Sequence, residues 1–156
     1  MCSPRSLSDP RVRKTTASNK YFGDTRGLAL LMDINELTYK INGAVFEVNR
    51  ILGPGFLEKV YENALLIELR SMGLKADSQV PIKVYYKDEV VGDYTADILV
   101  EEQVILELKT VERLEKIHEA QLLNYLRATG IQIGILINFR HTKAEIKRMV
   151  IDLPEK

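Results

Sequence analysis

Apolar residues recur at three- and four-residue steps early in the chain, which predicts two helices there. The first is expected over residues 34–52, where an apolar stripe runs through Leu37, Ile41, Ala44, Val45, Val48 and Leu52. Asp33 stands at the position of its N-cap, and Glu36 follows three residues later, as in a capping box. Gly53-Pro54-Gly55 ends this helix. The second helix is predicted over 56–72 and ends at Gly73, with a buried face of Val60, Ala64, Leu65 and Leu69.

Apolar and polar positions then alternate, which predicts three strands. The first carries Val80, Ile82, Val84 and Tyr86 and ends in a tight turn at residues 87–88. The return strand is expected over 89–100, a second turn at 102–103, and the third strand over 104–110. Because successive side chains of a strand point to opposite faces, Glu107 and Lys109 share one face of the third strand.

The last part of the chain predicts two helices around one strand. A helix over 113–128 ends at Gly130, and the apolar run 131–138 is long enough for a buried strand. Thr142 and Glu145 have the spacing of a capping box, which predicts a final helix to about residue 151. The element order α, α, β, β, β, α, β, α indicates one α/β domain over residues 32–156.

Composition limits the class of protein and the kind of metal site. Of the 156 residues, 46% are hydrophobic and 28% are charged, which is typical of a globular domain. No apolar run approaches the roughly 20 residues of a membrane-spanning helix, so we expect a soluble, cytoplasmic protein. With one cysteine and two histidines, a thiolate cluster is excluded and a zinc site is not favoured. Ligands to any metal are therefore mainly oxygens, which favours Mg²⁺ or Mn²⁺.

Charge is distributed unevenly along a chain whose net charge is zero. Residues 1–31 hold six basic and two acidic residues, giving +4, and their polar composition predicts a flexible basic tail. Residues 32–156 hold the other 16 basic and 20 acidic residues, giving −4. A strong nonspecific nucleic-acid binder is usually basic, so the domain does not have the composition of a nucleic-acid coat protein.

The strongest candidate site joins Asp97 with Glu107 and Lys109. A short hairpin links their strands, so antiparallel pairing brings the two carboxylates close together. Carboxylates that converge in a desolvated place repel each other, and a cation between them removes that cost. Lys109 lies on the same face as Glu107 and could position the attacking water or stabilise charge on a phosphate. A half-solvated strand with a surface Glu and Lys remains the alternative interpretation.

Several motifs resemble one known family. Asp97, a short hairpin and Glu107-x-Lys109 resemble the PD-(D/E)xK nuclease motif, and Gly55-x-x-Glu58-x-x-Tyr61 resembles the signature of the GxxExxY family, which is assigned to that superfamily. Further segments that resemble it are 80–86, 117–125 and 134–139, so the similarity covers roughly residues 33–151. The resemblance implies a restriction-endonuclease-like α/β fold, with a central mixed sheet flanked by helices.

The resemblance also lends roles to other residues. Glu58 stands where superfamily members often have a helix-borne acidic metal ligand, and Tyr61, three residues later, is expected to face the same cleft. Gln121 and Tyr125 resemble a QxxxY element that orients catalytic groups or contacts nucleic acid. His118 lies on that helical face, and a hydrogen-bonding role is favoured over one as a base. Asn49 is a departure from the family pattern, because family members often carry His at this position. Asparagine keeps a hydrogen-bonding group but cannot transfer protons near neutral pH.

Three functions follow as hypotheses. The first is a Mg²⁺- or Mn²⁺-dependent nuclease that hydrolyses phosphodiester bonds in DNA or RNA. The second is a non-catalytic binding or regulatory module that keeps the nuclease fold, since fold does not fix function. The third is a small self-associating protein, which exposed apolar surface on residues 126–135 would support. A homodimer is compatible with all three.

Overall fold

Two helices precede a five-stranded sheet in the computed structural model, which describes residues 32–152. The predicted tail, residues 1–31, and residues 153–156 lie outside the described part. The helices are α1 (Ile34–Leu52), α2 (Glu58–Ser71) and α3 (Lys116–Thr129), and the strands are β1 (Ala76–Tyr86), β2 (Glu89–Val100), β3 (Val104–Lys109), β4 (Ile133–Asn138) and β5 (Glu145–Val150).

The sheet is mixed, with the strands in the order β1-β2-β3-β4-β5. Short turns join β1 to β2 and β2 to β3, so these pairs are antiparallel. The connection from β3 to β4 passes through α3, and these two strands are parallel. The fold class predicted from the sequence, a central mixed sheet flanked by helices, is confirmed.

Each face of the sheet is covered by a different set of helices. On one face, α1 and α2 pack against alternate residues of the central strands, which are Ile98, Val100, Val104, Leu106, Leu108, Ile133, Ile135 and Ile137. On the other face, α3 packs through Leu122, Tyr125 and Leu126 against a second cluster that includes Leu99, Ile105 and Leu136. Because side chains alternate along β3, Glu107 and Lys109 belong to the face covered by α3.

The predicted final helix over 142–151 is wrong, because this segment forms β5 antiparallel to β4. The capping-box spacing of Thr142 and Glu145 predicts a helix that begins here. In the strand, Ile146 and Met149 point to opposite faces, and each packs against a different core cluster. Every residue of β4 is buried, so its outer edge needs a backbone partner, and β5 supplies it.

Several helix ends are where the sequence predicts them. Asp33 caps α1 by accepting from the N–H groups of Asn35 and Glu36 at 2.9 and 3.1 Å. Gly130 ends α3 with a φ of 77°. The predicted buried face of α2 needs one correction, because Val60 is 37% exposed and the neighbouring Tyr61 is the buried residue.

Two expectations from the sequence concern apolar segments: the surface of residues 126–135 and membrane-spanning helices. The apolar residues of 126–135 are buried, so this segment does not offer the exposed surface that the self-association hypothesis required. Within residues 32–152, no helix has the length and apolar character needed to cross a membrane.

Candidate metal centre

The centre lies where β2 and β3 stop pairing. The backbones of β2 and β3 pair from Val100–Val104 to Ile98–Leu106. Beyond this point, hydrogen bonds from backbone to side chain connect the two strands. The N–H of Asp97 donates to Glu107 Oε1 at 3.1 Å, and the N–H of Leu108 donates to Asp97 Oδ2 at 2.8 Å. Each carboxylate therefore binds the opposite strand, which holds Asp97 and Glu107 side by side.

A three-residue turn fixes this juxtaposition. Val100 pairs with Val104, so residues 101–103 form the turn, and Glu101 and Glu102 take positive φ angles of 52° and 56°. Lys75 holds both glutamates, because its backbone N–H donates to Glu101 at 2.9 Å and its Nζ donates to Glu102 at 2.6 Å. With the turn fixed, the register places residue 97 opposite residue 107.

Burial makes the two carboxyl groups hard to ionise together. Glu107 is 5% exposed, and desolvation, followed by the charge of Asp97, raises its pKa to about 8. Burial also raises the pKa of Asp97, although the Leu108 N–H opposes the shift and the charge of Glu62 adds to it. Lys109 lowers both pKa values without reversing either shift. Ionising both carboxyl groups would therefore place more buried negative charge at the centre than one ammonium group offsets.

Glu58 is a third carboxylate that interacts electrostatically with Asp97 and Lys109. It is the first residue of α2 and is partly buried. Desolvation raises its pKa, with a further contribution from the charge of Asp97, while Lys109 opposes the shift. Among residues 32–152 its carboxylate has no hydrogen-bond partner, so both of its oxygens are available to a ligand.

The sequence predicts that Tyr61 faces the same cleft as Glu58. This prediction is wrong, because the Tyr61 side chain is fully buried. Its hydroxyl donates to the carbonyl of Gly53 at 2.5 Å and accepts from the N–H of Phe56 at 3.2 Å. Its ring stacks on Phe139 with centroids 4.5 Å apart. Tyr61 therefore fixes the loop between α1 and α2, from which Glu58 emerges.

The sequence analysis does not single out Glu62 or its hydrogen-bond partners Lys59 and Gln79, which lie near the centre. Glu62 is only 4% exposed and adds to the field at Asp97 and Glu58. Lys59 donates to it at 3.0 Å, and the Gln79 amide donates to both of its oxygens at 3.0 and 3.1 Å. The available signal was helical spacing, since Glu62 lies four residues after Glu58 and on the same side of α2.

Gln121 and Tyr125 come together on α3 above the carboxylates. Gln121 Nε2 donates to the Tyr125 hydroxyl at 2.9 Å. Burial raises the pKa of Tyr125, and the next largest contribution is the negative charge of Glu107. On its outer side, the Tyr125 ring contacts Tyr94 of β2, with centroids 5.7 Å apart. The tyrosine therefore lies between the acidic centre and a second aromatic ring.

His118 and Asn49 make structural contacts. His118 Nδ1 accepts from the backbone N–H of Glu115 at 3.0 Å and so caps the beginning of α3. Asn49 Nδ2 donates to the carbonyl of Thr142 at 2.9 Å, which ties α1 to the loop between β4 and β5. In this chain, the residue at position 49 joins two elements through its amide.

The donor set suits a hard divalent cation. No three acidic, histidine or cysteine side chains within residues 32–152 already surround a single point as metal ligands. Asp97 and Glu107 each use one oxygen on a backbone N–H. Glu107 Oε2 accepts no hydrogen bond from the described residues, and the Glu58 carboxylate is also unengaged. Carboxylate oxygens are the ligands that Mg²⁺ and Mn²⁺ prefer.

A five-stranded mixed sheet with acidic residues and a lysine at the divergence of two strands defines a nuclease-like α/β domain. The family model of the PD-(D/E)XK nuclease superfamily matches residues 35–149. This chain therefore belongs to the PD-(D/E)XK nuclease superfamily.

The solved structure of SSO0001 agrees with the fold. The crystal structure of SSO0001 is 19% identical, with a TM-score of 0.51 over 77% of this chain and 60% of that one. The alkaline exonuclease LHK-Exo from Laribacter hongkongensis is 12% identical, with a TM-score of 0.40 over 79% of this chain and 73% of that one. The present chain thus matches about 60% of the length of SSO0001. No curated protein matches it.

Proposed function

We propose that this protein is a Mg²⁺- or Mn²⁺-dependent nuclease that hydrolyses phosphodiester bonds in DNA or RNA. The observation that supports it most is the reciprocal contact of Asp97 and Glu107, with Lys109 in the same electrostatic field. A structural salt bridge would neutralise these groups. Here burial and the charge of Asp97 outweigh Lys109 and raise the Glu107 pKa to about 8, so a bound cation would favour the ionised form of this carboxyl group. Superfamily membership gives the same expectation.

The proposal assigns a role to each residue of the site. Asp97, Glu107 and Glu58 hold the cation through carboxylate oxygens. When bound, a divalent cation supplies a water of lowered pKa and offsets phosphate charge. Lys109 orients the attacking water and stabilises the additional charge on the phosphate as the bond to the leaving oxygen breaks. Gln121 fixes the Tyr125 hydroxyl, which positions the substrate beside Glu107.

The test is cleavage of single-stranded and double-stranded DNA and RNA with Mn²⁺ or Mg²⁺ by the wild type and by Asp97→Asn, Glu107→Gln and Lys109→Met. We expect each substitution to abolish cleavage. Asp93→Asn is the matched control, because Asp93 lies on the same strand but is exposed and pairs with Lys83 at 3.1 Å. Activity that survives all three substitutions contradicts the proposed site.

Calorimetry separates the nuclease from a non-catalytic module with the same fold. The nuclease predicts that Mn²⁺ binds the wild type and Asp93→Asn but binds Glu107→Gln far more weakly. A module predicts no Mn²⁺ binding at millimolar concentration, together with retention of the fold by every variant.

A further inference from the structure

The β1–β2 hairpin extends beyond the rest of the sheet and carries an aromatic ring beside the candidate centre. Only residues 98–100 of β2 pair with β3, whereas β2 pairs with β1 from Glu89 onward. Tyr94 lies on this extension opposite Ile82, a residue of the core under α3. Directly opposed residues of an antiparallel pair share a face, so Tyr94 lies on the face that bears Glu107.

The Tyr94 ring is held in place while much of it stays exposed. It contacts the Tyr125 ring at a centroid distance of 5.7 Å, yet Tyr94 is 48% exposed. Gly92 makes room for it, because a Cβ at that position would lie 2.8 Å from Tyr94 Cε2. A partly exposed ring that already packs against another ring loses little further side-chain freedom when it binds a ligand.

Tyr94 is also the next aromatic group outward from the carboxylates. Tyr125 feels the charge of Glu107 and of Asp97 and is in contact with Tyr94. A nucleotide whose phosphate lies at the carboxylates would therefore have its base near these rings. Base–aromatic stacking tolerates any sequence, because every base has a π-face.

We propose that Tyr94 is a stacking platform for an unpaired base next to the scissile phosphate, so that the substrate is single-stranded or has a frayed end. This inference rests on the proposed nuclease function and names its substrate class. A base within a duplex already stacks on its neighbours and offers no free face. Residues 32–156 carry a net charge of −4, so contacts of Lys and Arg with phosphates contribute less to nucleic-acid affinity than in a basic protein. Base stacking is correspondingly more important for binding.

The first experiment measures binding of a short fluorescent oligothymidylate in Ca²⁺ buffer, with a gel to verify that it stays intact. We expect Tyr94→Leu to weaken binding about 5- to 150-fold, the range for loss of one base–aromatic stack. Tyr94→Phe retains affinity, because stacking does not need the hydroxyl. Gly92→Ala weakens binding by displacing the ring. An abasic oligonucleotide of equal length binds the wild type and Tyr94→Leu equally.

The second experiment detects the stack directly. The chain contains no tryptophan, so Tyr94→Trp introduces a single reporter. Its emission should be quenched by the oligothymidylate and not by the abasic strand. Tyr86→Trp is the matched control, since Tyr86 is 55% exposed on the same hairpin but lies at the turn. Its emission should not change with either strand.

The outcomes distinguish this inference from the proposed function. Wild-type affinity in Tyr94→Leu, or equal quenching of Tyr94→Trp by both strands, overturns the stacking role. If cleavage still depends on Asp97, Glu107 and Lys109 in that case, the nuclease proposal stands alone. A wild type that neither binds nor cleaves any nucleic acid overturns both.

Discussion

Replacing Glu107 by Gln should make the metal-free protein more stable at high pH. The carboxyl group is 5% exposed and close to the charge of Asp97, and its pKa is about 8 instead of 4.5. Glutamine has nearly the same shape and keeps an acceptor for the Asp97 N–H. The substitution therefore removes the buried charge while leaving the hydrogen bond in place.

The sign and size follow from proton linkage. The unfolded chain releases the Glu107 proton near its ordinary pKa, whereas the folded protein keeps it up to a pH of about 8. The stability that this group contributes is complete below the unfolded pKa, falls as the pH rises and is lost above the folded pKa. Each unit corresponds to about 1.36 kcal/mol, so we expect a loss of about 3–5 kcal/mol between about pH 5 and 9.

The assay is urea unfolding in EDTA, followed by far-UV circular dichroism, at about pH 5, 7 and 9. Wild type and Glu107→Gln should have similar free energies of unfolding at the lowest pH, and the variant should be more stable by about 3–5 kcal/mol at the highest. Glu89→Gln, at an exposed position, should change stability by less than about 0.5 kcal/mol throughout. A difference that does not vary with pH would refute the reasoning.

The same variants test the link between buried charge and metal. Mn²⁺ at about one hundred times its dissociation constant should stabilise the wild type by about 2.7 kcal/mol. Glu107→Gln should gain far less, because it has lost one anionic ligand. Equal stabilisation of both proteins would show that the ion binds elsewhere.

Three further substitutions test the scaffold. Tyr61→Phe leaves the Gly53 carbonyl without its donor and should cost about 1–3 kcal/mol of unfolding free energy, measured by urea denaturation. Gly134→Ala should cost about 1–3 kcal/mol, because its Cβ would lie 2.8 Å from Leu122. The Tm of the Gly134 variant should partly recover when Leu122→Ala is added. Asn49→Ala removes the hydrogen bond to the β4–β5 loop and should cost about 1 kcal/mol by urea denaturation. An unchanged unfolding free energy in any of the single variants would contradict its assigned contact.

The central part of the candidate site could be predicted because it depends on local structure. A hairpin with a three-residue turn sets the register between β2 and β3, so the spacing of Asp97 and Glu107 already implies that they meet. The position of Lys109 follows from alternation along one strand. The roles of these groups in catalysis remain predictions that the experiments above address.

Other features depend on contacts between distant parts of the chain. Gln79 of β1 reaches Glu62 of α2, and no sequence period links a strand residue with a helix residue. Helical spacing predicts that Tyr61 faces the cleft, but its stacking on Phe139 determines its direction. The capping-box spacing of Thr142 and Glu145 predicts a helix where the structure has β5. The edge of β4 that needs this strand as a partner is visible only once the sheet is assembled.

The most direct test of the account is a crystal soaked in Mn²⁺ and measured for anomalous scattering. We predict a peak within coordination distance of the Asp97 and Glu107 carboxylates, with Glu58 next to it, and no such peak in Glu107→Gln crystals. A wild-type crystal without density there at millimolar Mn²⁺, or with a peak only at another site, would contradict the claim that these strands assemble a metal centre.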